Sequence, residues 1–92
     1  MGEGKIYNLA QIIAEYTELP EDIILNLPKV TLVGNIYAVV ENHLGIIEYT
    51  DVKVRINTRI GEYIIHGKNL RIKAIYCDAI VVDGQINSIE IV

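Results

Sequence analysis

His43, His66, Cys77 and a scatter of carboxylates are the side chains that could ligate a metal or serve a nucleophilic reaction. Their spacing supports neither. A zinc site draws on paired donors such as C-x-x-C or H-x-x-x-H, because two ligands must reach one ion from a single turn or helix face. The chain contains no such pair. Its sole serine, Ser88, lies in a strand-like terminal stretch and not in a G-x-S-x-G elbow. A thiol nucleophile needs an activating base, and nothing in the sequence supplies one for Cys77. No Gly-rich phosphate cradle is present. His43 therefore reads as support for its loop, His66 as a strand end before Gly67, and Cys77 as a buried or half-buried structural thiol. No catalytic, cofactor-binding or metal-ligating residue is expected, and the chain reads as a non-enzyme.

The charges carry more information. The formal net charge is -4, which argues against a general nucleic-acid binder, since phosphate neutralisation needs an excess of Lys and Arg. Yet six of the eight basic residues fall between positions 53 and 73, where only Glu62 opposes them. Lys53 and Arg55 share one strand face, as do Arg71 and Lys73. If those strands are neighbours, the four residues make a basic patch able to meet anionic lipid, an acidic partner or RNA. The plainer reading is a solvated sheet face whose charges discourage edge aggregation. Aromatic stacking platforms, the mark of single-strand binding, are missing between Lys53 and Arg59.

The elements that position these residues are short. Ninety-two residues make one domain. With 18 Ile, 9 Val, no Phe and no Trp, its core must be built from stiff β-branched side chains, which favour strands. Residues 5–16 predict a helix, with Ile6, Leu9, Ile12, Ile13 and Tyr16 on one stripe. Ile23–Leu27 is ambiguous. Strands follow over Lys29–Val33, Ile36–Val40, Ile46–Tyr49 and Lys53–Thr58, with Gly34-Asn35 read as a two-residue hairpin turn. Gly61–Gly67 and Leu70–Ile75 read as separate strands, with Leu70, Ile72 and Ala74 facing inward. Ala79–Val82 and Gln85–Val92 read as a terminal hairpin about Asp83-Gly84, with a bulge near Ser88. Turn signals every eight to twelve residues predict an all-β fold. We expect a small β-sandwich, immunoglobulin-like or barrel-like, of about seven to nine short antiparallel strands with one N-terminal helix. Residues 1–17 would be the amphipathic helix and 18–92 the β domain.

Several strands carry apolar residues side by side: Val39-Val40, Ile46-Ile47, Ile64-Ile65 and Val81-Val82. A sheet with one wet face needs them only at alternate positions. The second member of each doublet must be covered by the helix, by a second copy or by a partner. Candidate contact residues are the helix stripe Ile6, Leu9 and Ile13 and the basic residues Lys53, Arg55, Arg71 and Lys73. One cysteine fits a reducing cytosolic compartment. No basic start leads into an apolar run, so no signal peptide is expected, and no stretch approaches the length of a membrane span.

In order and spacing, Leu19-Pro20-Glu21-Asp22, Leu27-Pro28-Lys29-Val30-Thr31, Gly34-Asn35 and Val40-Glu41-Asn42-His43 with Gly45-Ile46 form a recognisable series. It continues through Gly61-x-x-x-Ile65-x-Gly67-Lys68-x-Leu70 and Gly84-x-Ile86. The series resembles the YabP/YqfC family of sporulation proteins, on its YqfC branch, from about Leu19 to the C-terminus. The resemblance implies a small all-β domain acting in the mother cell during endospore formation, with no catalytic motif and no cofactor. It also implies a membrane-embedded sporulation protein as partner. Together the readings predict an interaction module, cytoplasmic or peripheral at the forespore-facing membrane, that forms a homo-oligomer or docks on that partner. The alternative is a small-ligand or nucleic-acid binder using the face around Arg55 and Arg71. Within the motif, Asn42 and Gly45 have a structural use, since both residue types tolerate positive φ.

Overall fold

Strand propensity is expressed along the whole second part of the chain. The computed structural model describes Gln11, Ile12, Glu15 and residues 26–92. It contains β1 (Lys29–Val33), β2 (Tyr37–Glu41), β3 (Ile46–Tyr49), β4 (Lys53–Thr58), β5 (Gly61–Ile75) and β6 (Ala79–Ile91). All neighbours are antiparallel, in one sheet of order β1-β2-β6-β5-β4-β3. The predicted helix and its stripe Ile6, Leu9 and Ile13 lie outside the described residues. Of that segment only Gln11, Ile12 and Glu15 are described, with helical backbone. The proposed boundary at residues 17 and 18 also falls outside them.

The all-β expectation holds; the sandwich or barrel of seven to nine short strands does not. The described residues form six strands in a single open sheet, with β1 and β3 at its edges. The difference has one physical cause. The breaks read at Gly67–Asn69 and at Asp83-Gly84 are bends inside continuous strands of 15 and 13 residues. Glycine permits this. A Cβ on Gly67 would collide with the Gln85 carbonyl oxygen, and Gly84 has φ 131° and lies 2.9 Å from Leu70 Cα at its Cβ position. Asp83 is no turn residue: it pairs with Tyr37 on one side and Arg71 on the other.

Three register shifts mark the bend. Asn87 is skipped between the pairs His66–Ser88 and Gly67–Ile86, which is the bulge expected near Ser88. Asn69, at φ 53°, and Leu70 together oppose Gly84. Lys73 is skipped next, so Ala74 faces Val81 in the outward row and not inward as its spacing suggested. The β1–β2 connection also differs from expectation. It has three residues, Gly34-Asn35-Ile36, closed by the Ile36 N–H donating to the Val33 carbonyl at 3.3 Å.

The bend divides the sheet into two arms. One holds β1, β2 and the adjoining ends of β5 and β6; the other holds β3, β4 and the remaining halves. Each bend is tied to a turn. The Gly67 and Leu70 N–H groups donate to Val52 and Asp51, and those of Gly84 and Ile86 donate to Ile36 and Asn35. Buried side chains from both arms merge in one cluster: Ala38, Val40, Ile80 and Val82 from the first, Val54, Ile56, Ile65 and Ile86 from the second, with Leu70 at the bend. Each fully buried Ile, Val or Leu stabilises the fold by roughly 1.5–3 kcal/mol.

Candidate interaction surfaces

Alternation along β4 turns Val54, Ile56 and Thr58 inward and leaves Lys53 and Arg55 on the outer face. There the register sets Arg55 beside Glu48 of β3 and Ile64 of β5, with Glu62 diagonal to it. The guanidinium donates to both Glu62 oxygens, at 2.9 Å from Nε and 2.9 Å from Nη2, and from Nη1 to Glu48 Oε1 at 3.1 Å. Lys53 Nζ lies 3.8 Å from the same Glu48 oxygen. Two cations thus meet two carboxylates. The hydrogen bonds to Glu62 first, and to Glu48 second, raise the Arg55 pKa. Chiefly through its hydrogen bond with Arg55, the Glu62 carboxyl is held below the usual carboxylate range.

Arg71 and Lys73 lie on the far half of β5, in the other arm. β4 pairs only with residues 61–66 of β5, so the structure does not join the two basic pairs in one patch. Arg71 donates to Asp83 from Nε at 3.3 Å and from Nη2 at 3.2 Å, which raises its pKa. Lys73 Nζ sits 6.0 Å from the Tyr37 ring centroid, at the outer limit of a cation–π contact. On the outer face His66 Nε2 contacts Glu90 Oε1 at 3.0 Å.

The doublets resolve unevenly. Val40, Ile65 and Val82 are fully buried; Val39, Ile64 and Val81 are half-buried on the outer face. Val39 and Val81 face each other across β2 and β6, and Ala74 extends that apolar row. Of the exposed large hydrophobics, Leu32, Val33 and Ile36 lie along β1 and its turn and Ile47, Tyr49 and Val52 along β3 and its turn, while Leu44, Ile60, Ile75, Tyr76, Ile91 and Val92 lie in other loops and at strand ends.

The loop from Asn42 to Gly45 is built as its residue types suggested. Asn42 adopts φ 62° and Gly45 φ 117°. The Asn42 amide donates from Nδ2 to the Leu27 carbonyl at 2.8 Å, and its N–H to the Asp78 carbonyl at 2.7 Å. His43 Nδ1 accepts from the Gly45 N–H at 2.9 Å, so its proton resides on Nε2, which donates to the Tyr76 carbonyl at 3.2 Å. Both ring nitrogens are engaged by backbone, and His43 cannot also act as base for Cys77. Beside them is a cleft of about 180 Å³ lined by Asn26, Asn42, His43, Arg59, Cys77 and Asp78; Cys77, expected to be buried or half-buried, is exposed because it lies in the β5–β6 turn and not in a strand. His66 lies elsewhere, on the outer face against Glu90. Among the described residues no group of three or more His, Cys, Asp or Glu is placed to hold a metal ion. No helix among them is long and apolar enough to cross a membrane.

The model of the YabP family matches residues 26–92. The chain belongs to the YabP family. It is 37% identical over 75 residues to the uncharacterized protein YqfC of Bacillus subtilis (strain 168), a match that covers 82% of this chain and 81% of that relative. No solved structure matches the chain. The matched region coincides with the six-stranded sheet, and the quoted motif residues fall where the sheet needs them. Gly67, Leu70 and Gly84 make the bend, and Asn42 and His43 tie the β2–β3 loop to the β5–β6 turn. The carboxylates Glu48, Asp83 and Glu90 went unrecognised as partners, because each arrives from a strand outside the basic stretch. Only the Arg55–Glu62 pair had a visible signal: the two residues flank the Arg59-Ile60 turn of one hairpin.

Proposed function

We propose that this YabP-family chain is a non-enzymatic interaction module that acts in the mother cell during endospore formation, by assembling with itself or by docking on a membrane-embedded sporulation partner. The carrying observation is the apolar surface at the sheet's open edges. Leu32, Val33 and Ile36 at one edge are 50%, 54% and 60% exposed, and Ile47, Tyr49 and Val52 at the other are 45%, 49% and 53% exposed. Such side chains, next to strand edges that have no second neighbour among the described residues, favour addition of another strand. Two further observations support the reading. Arg55 and Arg71, which a nucleic-acid surface would need free for phosphate, are bound by carboxylates. The one histidine beside Cys77 in the cleft is committed to backbone at both nitrogens.

Light scattering on the size-excluded full-length chain tests the self-assembly arm, with an oligomer expected at tens of micromolar. A monomer that also fails to bind liposomes reconstituted with candidate membrane-embedded sporulation proteins would remove the proposal.

A further inference from the structure

The two edges are not equivalent. β3 has four residues and a register shift between Ile46 and Glu48, which leaves Ile47 out of the ladder. Short, bulged edges are poor templates for another strand. β1 is unbulged: all five residues pair in unbroken register with β2. Its only charge, Lys29, is 3.6 Å from Glu41 of the neighbouring strand. Its remaining residues are Val30, Thr31, Leu32 and Val33.

We propose that β1 is the assembly edge, and that it pairs antiparallel with β1 of a second copy about a two-fold axis through Thr31. The inference rests on the self-assembly reading above and names its contact. Three constraints select this register. A slip of one residue would set the inward face of one sheet against the outward face of the other, which the pleat forbids. A slip of two keeps the faces but leaves two residues of each strand unpaired. Centring on Thr31 pairs all five and sets Val30 opposite Leu32 of the second copy, so the inner apolar row continues from sheet to sheet. Charge selects the direction. A parallel pairing in register would set Lys29 beside its own counterpart. The antiparallel one puts it opposite Val33 of the second copy, with the two lysines about 13 Å apart along the strands. An isologous contact of this kind closes as a dimer. Pairing β1 with the β3 edge of another copy would instead run on as an open fibre, and the Ile47 bulge stands against it.

The register predicts one cross-link. In the full-length chain with Cys77→Ser, Thr31→Cys brings two thiols to Cα positions about 4.5–5.5 Å apart, within disulfide reach. Mild oxidation is expected to cross-link Thr31→Cys at least about tenfold faster than Ile47→Cys, because only the first pair is preorganised. Leu32→Lys, at an exposed position, places a charge in the paired apolar row and is expected to weaken the dimer by at least roughly tenfold, with an unchanged circular dichroism spectrum. An oligomer that cross-links through Ile47→Cys, or that shows no preference for Thr31→Cys, overturns the β1 pairing and leaves self-assembly standing. A wild-type monomer at tens of micromolar overturns both.

Discussion

Gly84→Ala probes the bend that makes one strand of the two segments read as a terminal hairpin. Gly84 lies at φ 131°, where an L-residue is strained by about 1–3 kcal/mol. Its added Cβ would also lie 2.5 Å from the Asn69 carbonyl oxygen and 2.9 Å from Leu70 Cα. Both neighbours are backbone atoms held by the bulge, so relief requires moving the strand. Overpacking of this kind costs a further 1–3 kcal/mol or so, for a total of about 2–6 kcal/mol. For a domain of this size each kcal/mol lowers the Tm by roughly 4–8 °C. The expected fall is therefore at least about 8 °C, up to loss of the fold. Gly34→Ala is the matched control. It lies at φ 53° with nothing within 4 Å of the Cβ position, and carries only the left-handed backbone cost of about 1–2 kcal/mol. Urea titration followed by circular dichroism reads both. If the two variants lose the same stability within about 0.5 kcal/mol, β5 and β6 do not approach at Gly84 and the bent sheet is wrong.

Ile65→Ala empties a fully buried position at the centre of the shared core and should lose about 2–5 kcal/mol by chemical denaturation, with an unchanged m-value. His43→Ala strands the Gly45 N–H and the Tyr76 carbonyl. The loop is partly wet, so about 1 kcal/mol is expected, and hydrogen exchange should quicken at Gly45 before any strand amide. The Glu62 carboxyl is depressed by Arg55. Its stabilisation is therefore present above the ordinary glutamate range and is lost as pH falls through the depressed value. Arg55→Met should flatten that part of the acid limb in a pH series of urea titrations; an identical limb in the variant would contradict the pairing.

Four strands were legible at or within a residue of their bounds: Lys29–Val33, Ile46–Tyr49 and Lys53–Thr58 in full, and β2 displaced by one. Alternation and turn residues specify such segments locally. The bulge beside Ser88 was legible too, because an extra residue breaks the period of two. Glycine at 67 and 84 was not. Gly84 uses the freedom at φ that a tight turn also asks for, and Gly67 leaves room for the Gln85 carbonyl; only the partner across the ladder distinguishes these uses from a turn. Asp83 pairs with Tyr37, a contact no local pattern encodes. The candidate surface failed to be legible for the same reason. Six basic residues against Glu62 look like an open patch along the chain, but register brings Glu48 to Lys53 and Arg55, and Asp83 to Arg71. The β1 edge became visible only once strand order showed which strands lack a second neighbour.

Strand order also has a consequence for how the polypeptide is made. β6 lies between β2 and β5, yet it is the last of the six to leave the ribosome. The hairpin of β1 and β2 and the meander of β3, β4 and β5 can each form early, but among the described residues no strand pairing joins them until that final segment inserts between β2 and β5. Until then the nascent chain displays Val39-Val40 and Ile64-Ile65 on strands open to any neighbour, a state prone to misassembly. A message cut short before Ala79 would remove Ile80, Val82 and Ile86 from the shared core and leave β2 and β5 without the strand that joins them.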